Sequence, residues 1–354
     1  MRSPNVLAVC LFGLVSAAPA PQEINTALAY ALPDPTFTVN SAVTAQVVTY
    51  DRDAIFAAGI KQLTGLGAII PATRVAALPL VTALPAIVKK AVTTCTSLPV
   101  GYGPTPTPDT PSAFLALPDF GKAALAAKTP SGYFQSFQNL NASNNAYGYL
   151  GYTTLTTYDV NKCAAKCTAL TGCASFNVYW ERSPSVEPGN DCPNPPSTTL
   201  IKCAFWGGPV TSGNAVNNGQ WRKNFLVVIA GSNGYVSTAI PTIPGYTDPV
   251  ALGNAAINAP FDKFGADTFL GSLVFTSGPF DATLCARACS QQGFCQFFNT
   301  YLLYINSTAN PAQNQGQYCA LYSETWTGKY ATNTGTVNGG DRFMIQYSFA
   351  YSNS

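Results

Sequence analysis

The chain has 354 residues, none of them histidine, and only 10% are charged, for a formal net charge of +2. Without histidine there is no Ser–His or Cys–His nucleophile pair and no imidazole-ligated metal. Ser–Lys pairs and all-thiolate or carboxylate sites are what formally remain. The scarcity of charge excludes the basic face that nucleic acid requires and the basic stripe that draws a protein to anionic lipid. Carboxylates are sparse as well, with Asp and Glu totalling 16, whereas a glycosidase needs two facing each other across a cleft. Glu181, Glu187 and Asp191 cluster around the Pro- and Gly-rich stretch "SPSVEPGNDCPNPP". This stretch reads as a solvated, disulfide-tethered loop, the alternative being a calcium site built from Glu187, Asn190 and Asp191. Long hydrophobic runs are also missing. Val6–Val15 is too short to cross a bilayer, no later segment is apolar for long enough, and the polar end "QYSFAYSNS" does not read as a lipid-anchor signal. These absences lead us to expect no catalytic residue, no metal, no cofactor, no nucleic-acid partner and no membrane anchor.

What is present first gives an address. Arg2, the apolar run and the small residues of "SAAPAP" read as a signal peptide over residues 1–18, which places the mature chain outside the cell. Its removal takes Cys10 from a total of 11 cysteines and leaves ten, an even number in an oxidising compartment. Two sequons, at Asn141 and Asn306, agree with secretion and predict glycans there.

Residues 19–130 are rich in Ala, Pro, Thr and Val. Helix-favouring pieces lie between Ala54 and Val92, but Pro71, Pro79 and Pro85 prevent one long helix. "GYGPTPTPDTPSAF" reads as an extended connector, which leaves the region either packed on the rest or a stalk. A second linker is expected over residues 236–249, within the Gly231–Asp248 stretch that contains "AIPTIPGYTDP".

The chain then repeats itself. "DVNKCAAKCTALTGCASFNVYW" from Asp159 and "DATLCARACSQQGFCQFFNTYL" from Asp281 agree at eight of 22 positions, 122 residues apart. "YLGYTTL" precedes the first copy as "FLGSLVF" precedes the second, and "CAFW" follows one as "CALY" follows the other. Further on, "NGQWRKNFLVVIA" aligns with "NGGDRFMIQYSFA", which sets Arg222 over Arg342. Each copy reads strand, helix, strand, loop, strand, loop, strand. Asp159 and Asp281 suit N-caps, and Gly172 and Gly293 suit helix ends. Cysteines four apart share one helical face, so they should bond to other elements and not to each other. The spacing has no paired C-x-x-C knuckles for zinc.

The pattern C-x3-C-x5-C-x2-F-N-x-Y, followed by C-A-[FL]-[WY], resembles the PAN/apple fold, in which an antiparallel sheet curls around one helix. The strings "GYGPTPTPDTP" and "CAFWGGPVTSGNA" also resemble a group of secreted filamentous-fungal proteins. The resemblance implies an α+β chain with two tandem disulfide-clipped modules, over 131–235 and 250–354. It further implies bridges Cys163–Cys203, Cys167–Cys173, Cys285–Cys319 and Cys289–Cys295. Subtracting these leaves Cys95 and Cys192, which an even count predicts as a fifth pair.

Modules of this family serve as protein- or carbohydrate-binding units, and aromatic faces stack on sugars while Arg and amides bond hydroxyls. The first copy has Trp180, Trp206 and Trp221 near Arg182 and Arg222, where the second has Leu302, Tyr322 and Asp341 at the Trp positions. Its loop between the third and fourth frame cysteines is also longer, 29 residues against 23. Trp180, Arg182, Trp206 and Trp221 are therefore the candidate ligand contacts, whereas Asn177 and Asn299, present in both copies, should serve the fold. The expected function is a secreted, non-enzymatic protein that binds cell-wall polysaccharide or glycoprotein through its first module. The alternative is a structural wall component acting through protein contacts.

Overall fold

A computed structural model describes residues 24, 26, 40, 42–62, 95–306 and 313–354, and the expected signal peptide lies outside the described residues. The fold is mixed α+β, and its sheets are antiparallel throughout. The strands are β1 (Ala45–Val47), β2 (Tyr133–Leu140), β3 (Tyr149–Leu155), β4 (Ser175–Pro184) and β5 (Ser197–Trp206). They continue as β6 (Trp221–Arg222), β7 (Phe225–Leu226), β8 (Val228–Ser237), β9 (Val250–Gly253), β10 (Ala256–Ile257) and β11 (Phe269–Phe275). The last five are β12 (Phe297–Asn306), β13 (Gln313–Tyr322), β14 (Ala331–Asn333), β15 (Gly335–Asn338) and β16 (Asp341–Ser352). The α-helices with described bounds are α1 (Arg52–Ile60), α2 (Pro111–Leu115), α3 (Pro118–Ala126), α4 (Val160–Ala169) and α5 (Ala282–Ser290).

The two copies of the cysteine frame build the same sheet. The first orders its strands β3-β5-β4-β8, with β1 and β2 at the flanks, and the second orders them β11-β13-β12-β16. The helix of each cysteine frame packs on its own sheet, capped as its sequence predicts. Asp159 accepts from the N–H groups of Asn161 and Lys162, and Asp281 from that of Thr283. Cys163 and Cys285 clip the helices to Cys203 and Cys319 on the central strands, while Cys167 and Cys289 bond Cys173 and Cys295 just past each helix end. Apolar alternation sets the helix-facing side: Phe176, Val178 and Trp180 of β4 pair with Phe205, Cys203 and Ile201 of β5 over α4.

The recurrent asparagine fixes the register of both sheets. The Asn177 amide donates to Ser232 Oγ and the Asn233 carbonyl, at 2.8 and 2.9 Å, and accepts from the Asn144 N–H. Asn299 donates to Ser348 Oγ and the Phe349 carbonyl, at 3.0 and 2.9 Å, and accepts from the Ile257 N–H. This equivalence makes Ser232 the counterpart of Ser348. It corrects the end of the sequence alignment, which placed Ala230 over Ala350 and Arg222 over Arg342. Arg222 lies in β6, within a short hairpin, whereas Arg342 lies in β16 opposite Asn306. The loops before the last strand differ in length, and an ungapped match could not absorb the difference.

Two linker readings also change. Gly231–Ser237 belongs to β8, whose Tyr235 and Val236 are buried, so strand pairing claims the start of the expected linker. Farther on, Ile243 is buried in the second core and Tyr246 packs edge-on against Phe298, 5.2 Å between ring centres.

The N-terminal residues are not a stalk where they are described. Phe114 and Phe120, from α2 and α3, are buried, with the Phe120 ring 5.0 Å from that of Trp180. The chain at 45–62 spans both copies. β1 extends the first sheet beside β3, and Tyr50 donates to the Tyr149 carbonyl at 2.6 Å. α1 then packs Phe56 against Phe275 of the second sheet, with Arg287 stacked on Phe56 and paired to Asp53. The Gln62 amide bonds both main-chain groups of Val274, as a neighbouring strand would. The copies also touch directly: the Tyr147 hydroxyl donates to the Phe275 carbonyl and the Phe280 N–H to the Gly207 carbonyl.

Candidate ligand-binding surface

The four sequence candidates separate by burial. Trp180 lies on the helix side of the first sheet, stacked on Tyr158 and covered by Phe120. Trp206 lies on the opposite side, among Tyr149, Val210 and Val236, and is 2% exposed. Both are core, which corrects their reading as ligand platforms. A ring between packed layers has no face left for a sugar. Arg182 is corrected too: at 2% exposed, its guanidinium bonds Asp109 and the Leu226 carbonyl and covers the Phe225 ring at 4.1 Å. The sequence missed Asp109, its partner from the proline-rich connector. Burial alone would raise the Asp109 carboxyl, but hydrogen bonds from the Ser197 side chain and N–H and from Arg182 outweigh it and hold the group below the usual carboxylate range.

Trp221 is different, at 67% exposed. It opens the β6–β7 hairpin, pairs across to Leu226, and is followed by Lys223 with φ +55° at the turn. The hairpin is braced from below. Phe225 is fully buried, Arg222 pairs with Glu187, and the Asn224 N–H donates to the Pro193 carbonyl at 2.9 Å. Glu187 is itself held by main-chain bonds to Cys95 and Thr96, and Cys95 is disulfide-bonded to Cys192. The predicted fifth pair therefore staples the N-terminal segment to the long loop of the first copy, beneath the exposed tryptophan.

This arrangement also engages two of the three carboxylates of that region, Glu181 and Glu187, and the side-chain oxygen of Asn190. Glu187 faces Arg222, Glu181 faces Lys202 at 2.7 Å, and the Asn190 carbonyl oxygen accepts from Lys223. Among the described residues no group of three or more His, Cys, Asp or Glu could hold a metal ion, and no helix is long and apolar enough to cross a membrane. Asn141 and Asn306 are both exposed.

A second surface was not legible in the sequence. It lies between the two sheets and is assembled from residues near 50, 172, 240, 280 and 347, distant in sequence and drawn from both copies and the N-terminal clasp. No periodicity or spacing marks such residues beforehand. No family model matches this chain, and neither a curated protein nor a solved structure matches it.

Proposed function

We propose that this chain is a secreted, non-enzymatic binding protein built on two PAN/apple-like modules, and that it recognises cell-wall polysaccharide or glycoprotein through the first. The observation that carries the reading is Trp221. A large aromatic face is held out to solvent on a hairpin that an ion pair, a buried Phe225 and a disulfide-stapled loop keep in place. Exposing it does nothing for folding, whereas a rigid, presented ring lowers the ordering cost of binding. The low charge of the chain supports a neutral, hydroxyl-rich partner, on whose apolar ring faces an indole stacks. The placement outside the cell is supported by the five disulfides, which persist in oxidising compartments.

The test is sedimentation of the full chain with insoluble chitin, insoluble β-glucan and wall glycoprotein, comparing wild type with Trp221→Ala. We expect wild-type binding to at least one of them and about a thirtyfold loss in the variant, the usual effect of removing an aromatic anchor. Equal binding by a folded Trp221→Ala protein would refute the assignment.

A further inference from the structure

The last strand of each sheet contains a bulge at the same place. In the first, Ser232 and Gly231 face Tyr179 where the register of β8 shifts between Val178 and Trp180. In the second, Ser348 and Tyr347 face Tyr301 where β16 shifts between Thr300 and Leu302. The bulged residue is left-handed in both, with φ +56° at Gly231 and +54° at Tyr347. Glycine adopts that conformation freely, and an L-residue with a large side chain does not. Tyrosine therefore stands in a backbone position that favours glycine, and strained residues of this kind concentrate at functional sites.

The Tyr347 side chain points into the junction between the sheets. Its ring meets Phe280 and Phe349 edge-on, at 5.0 and 4.8 Å, and its hydroxyl has no hydrogen-bond partner among the described residues. Two clefts meet there. One, of about 310 Å³, runs past Gly172, Ser237 and Phe280 to Arg52 and Asp281. The other, of about 390 Å³, runs past Ile240 and Thr238 to the half-exposed Phe134. A third, of about 380 Å³, continues from Arg52 and Asp281 towards Tyr50 and Leu150. Shared lining residues make them one elongated groove, and each part falls within the size of ordinary ligand pockets, roughly 300–1,000 Å³. Among the described residues that line it, only Arg52 and Asp281 are charged, and they pair with each other at 2.6 Å. The groove thus offers hydroxyls, main chain and aromatic faces, and no net charge for an ionic ligand.

We propose that this groove binds a linear neutral glycan, with Tyr347 contacting a sugar unit where the clefts meet. The proposal rests on the carbohydrate reading above but on a separate surface, so the two can fail independently.

The experiment is calorimetric titration of the full chain with soluble chitohexaose and with soluble β-1,3-glucan hexaose. The variants are Tyr347→Gly, which restores the residue of the sister bulge, Tyr347→Phe, which removes only the hydroxyl, and Trp221→Ala. Thermal melting checks each fold. We expect one hexasaccharide to bind wild type, with about thirtyfold weaker binding in Tyr347→Gly and several-fold weaker binding in Tyr347→Phe. Wild-type affinity in both Tyr347 variants would overturn the proposal, as would a loss confined to Trp221→Ala. Failure of wild type to bind either sugar would overturn it too. Loss of insoluble-polysaccharide binding in Trp221→Ala would stand through any of these results.

Discussion

Arg182 Nε and Nη2 both donate to one carboxylate oxygen of Asp109, at 3.1 and 2.9 Å, and this pair joins the proline-rich connector to the first sheet. The arginine is buried and its partner is one-third exposed. Removing the arginine takes two bonds from Asp109, one from the Leu226 carbonyl and the cover from the Phe225 ring, while the bonds from Ser197 to Asp109 remain. Arg182→Ala should therefore cost about 2–3 kcal/mol in urea denaturation. A loss below about 1 kcal/mol would mean that the connector is not held through this contact.

The same pair predicts an acid limb in stability. Asp109 has a lower pKa folded than unfolded, so protonation favours unfolding. Its contribution is complete above the ordinary Asp range, near pH 4, and is lost as pH falls through the lower folded value. Melting temperature followed into acid should drop more steeply for wild type than for Asp109→Asn, which has no carboxylate to lose. Parallel curves would count against this group as the source.

The tryptophans should divide as their burial does. Trp180→Ala and Trp206→Ala each empty a packed site and should cost about 3–5 kcal/mol. Trp221→Ala should stay within about 0.5 kcal/mol of wild type in the same assay. Marked destabilisation by Trp221→Ala would return that residue to a structural role.

Asn177→Ala and Asn299→Ala should behave alike, because each strands a buried N–H and a buried carbonyl on either side of a sheet. We expect about 2 kcal/mol or more from each. If one proved neutral, the two sheets would not share a register lock.

Replacing Cys95 and Cys192 together by serine opens a staple of sequence separation 97, which loop-closure entropy values at about 4–5 kcal/mol. The specific outcome is local. Proteolysis should begin near residues 95–110, and binding to insoluble polysaccharide should weaken because Glu187 and the Trp221 hairpin lose their brace. Unchanged binding would separate the staple from the site.

Much of the architecture was legible because it repeats. Asp159 and Asp281, the three-cysteine frames, and the alternation in "ASFNVYW" and "QFFNTYL" specify a capped helix clipped to a strand by local rules, and both copies form the element order read from them. The alignment failed where no local rule applied. The register of β8 and β16 is set by Asn177 and Asn299 reaching across the sheet, and that bond cannot be seen along a chain.

The sequence by itself determined the helix starts, the strand faces and the paucity of ionic chemistry, and the bridges implied by the family resemblance left Cys95 and Cys192 as the remaining pair. Only the tertiary structure decided which aromatic is available. Trp180, Trp206 and Trp221 look equivalent in sequence, yet α3 covers the first, the far layer of the sheet buries the second, and a braced hairpin presents the third. Burial depends on what arrives from elsewhere in the chain, here a connector some 60 residues upstream of Trp180 that brings Phe114 and Phe120. The groove at Tyr347 depends on it more heavily still, since its walls come from both sheets and from the segment that clasps them.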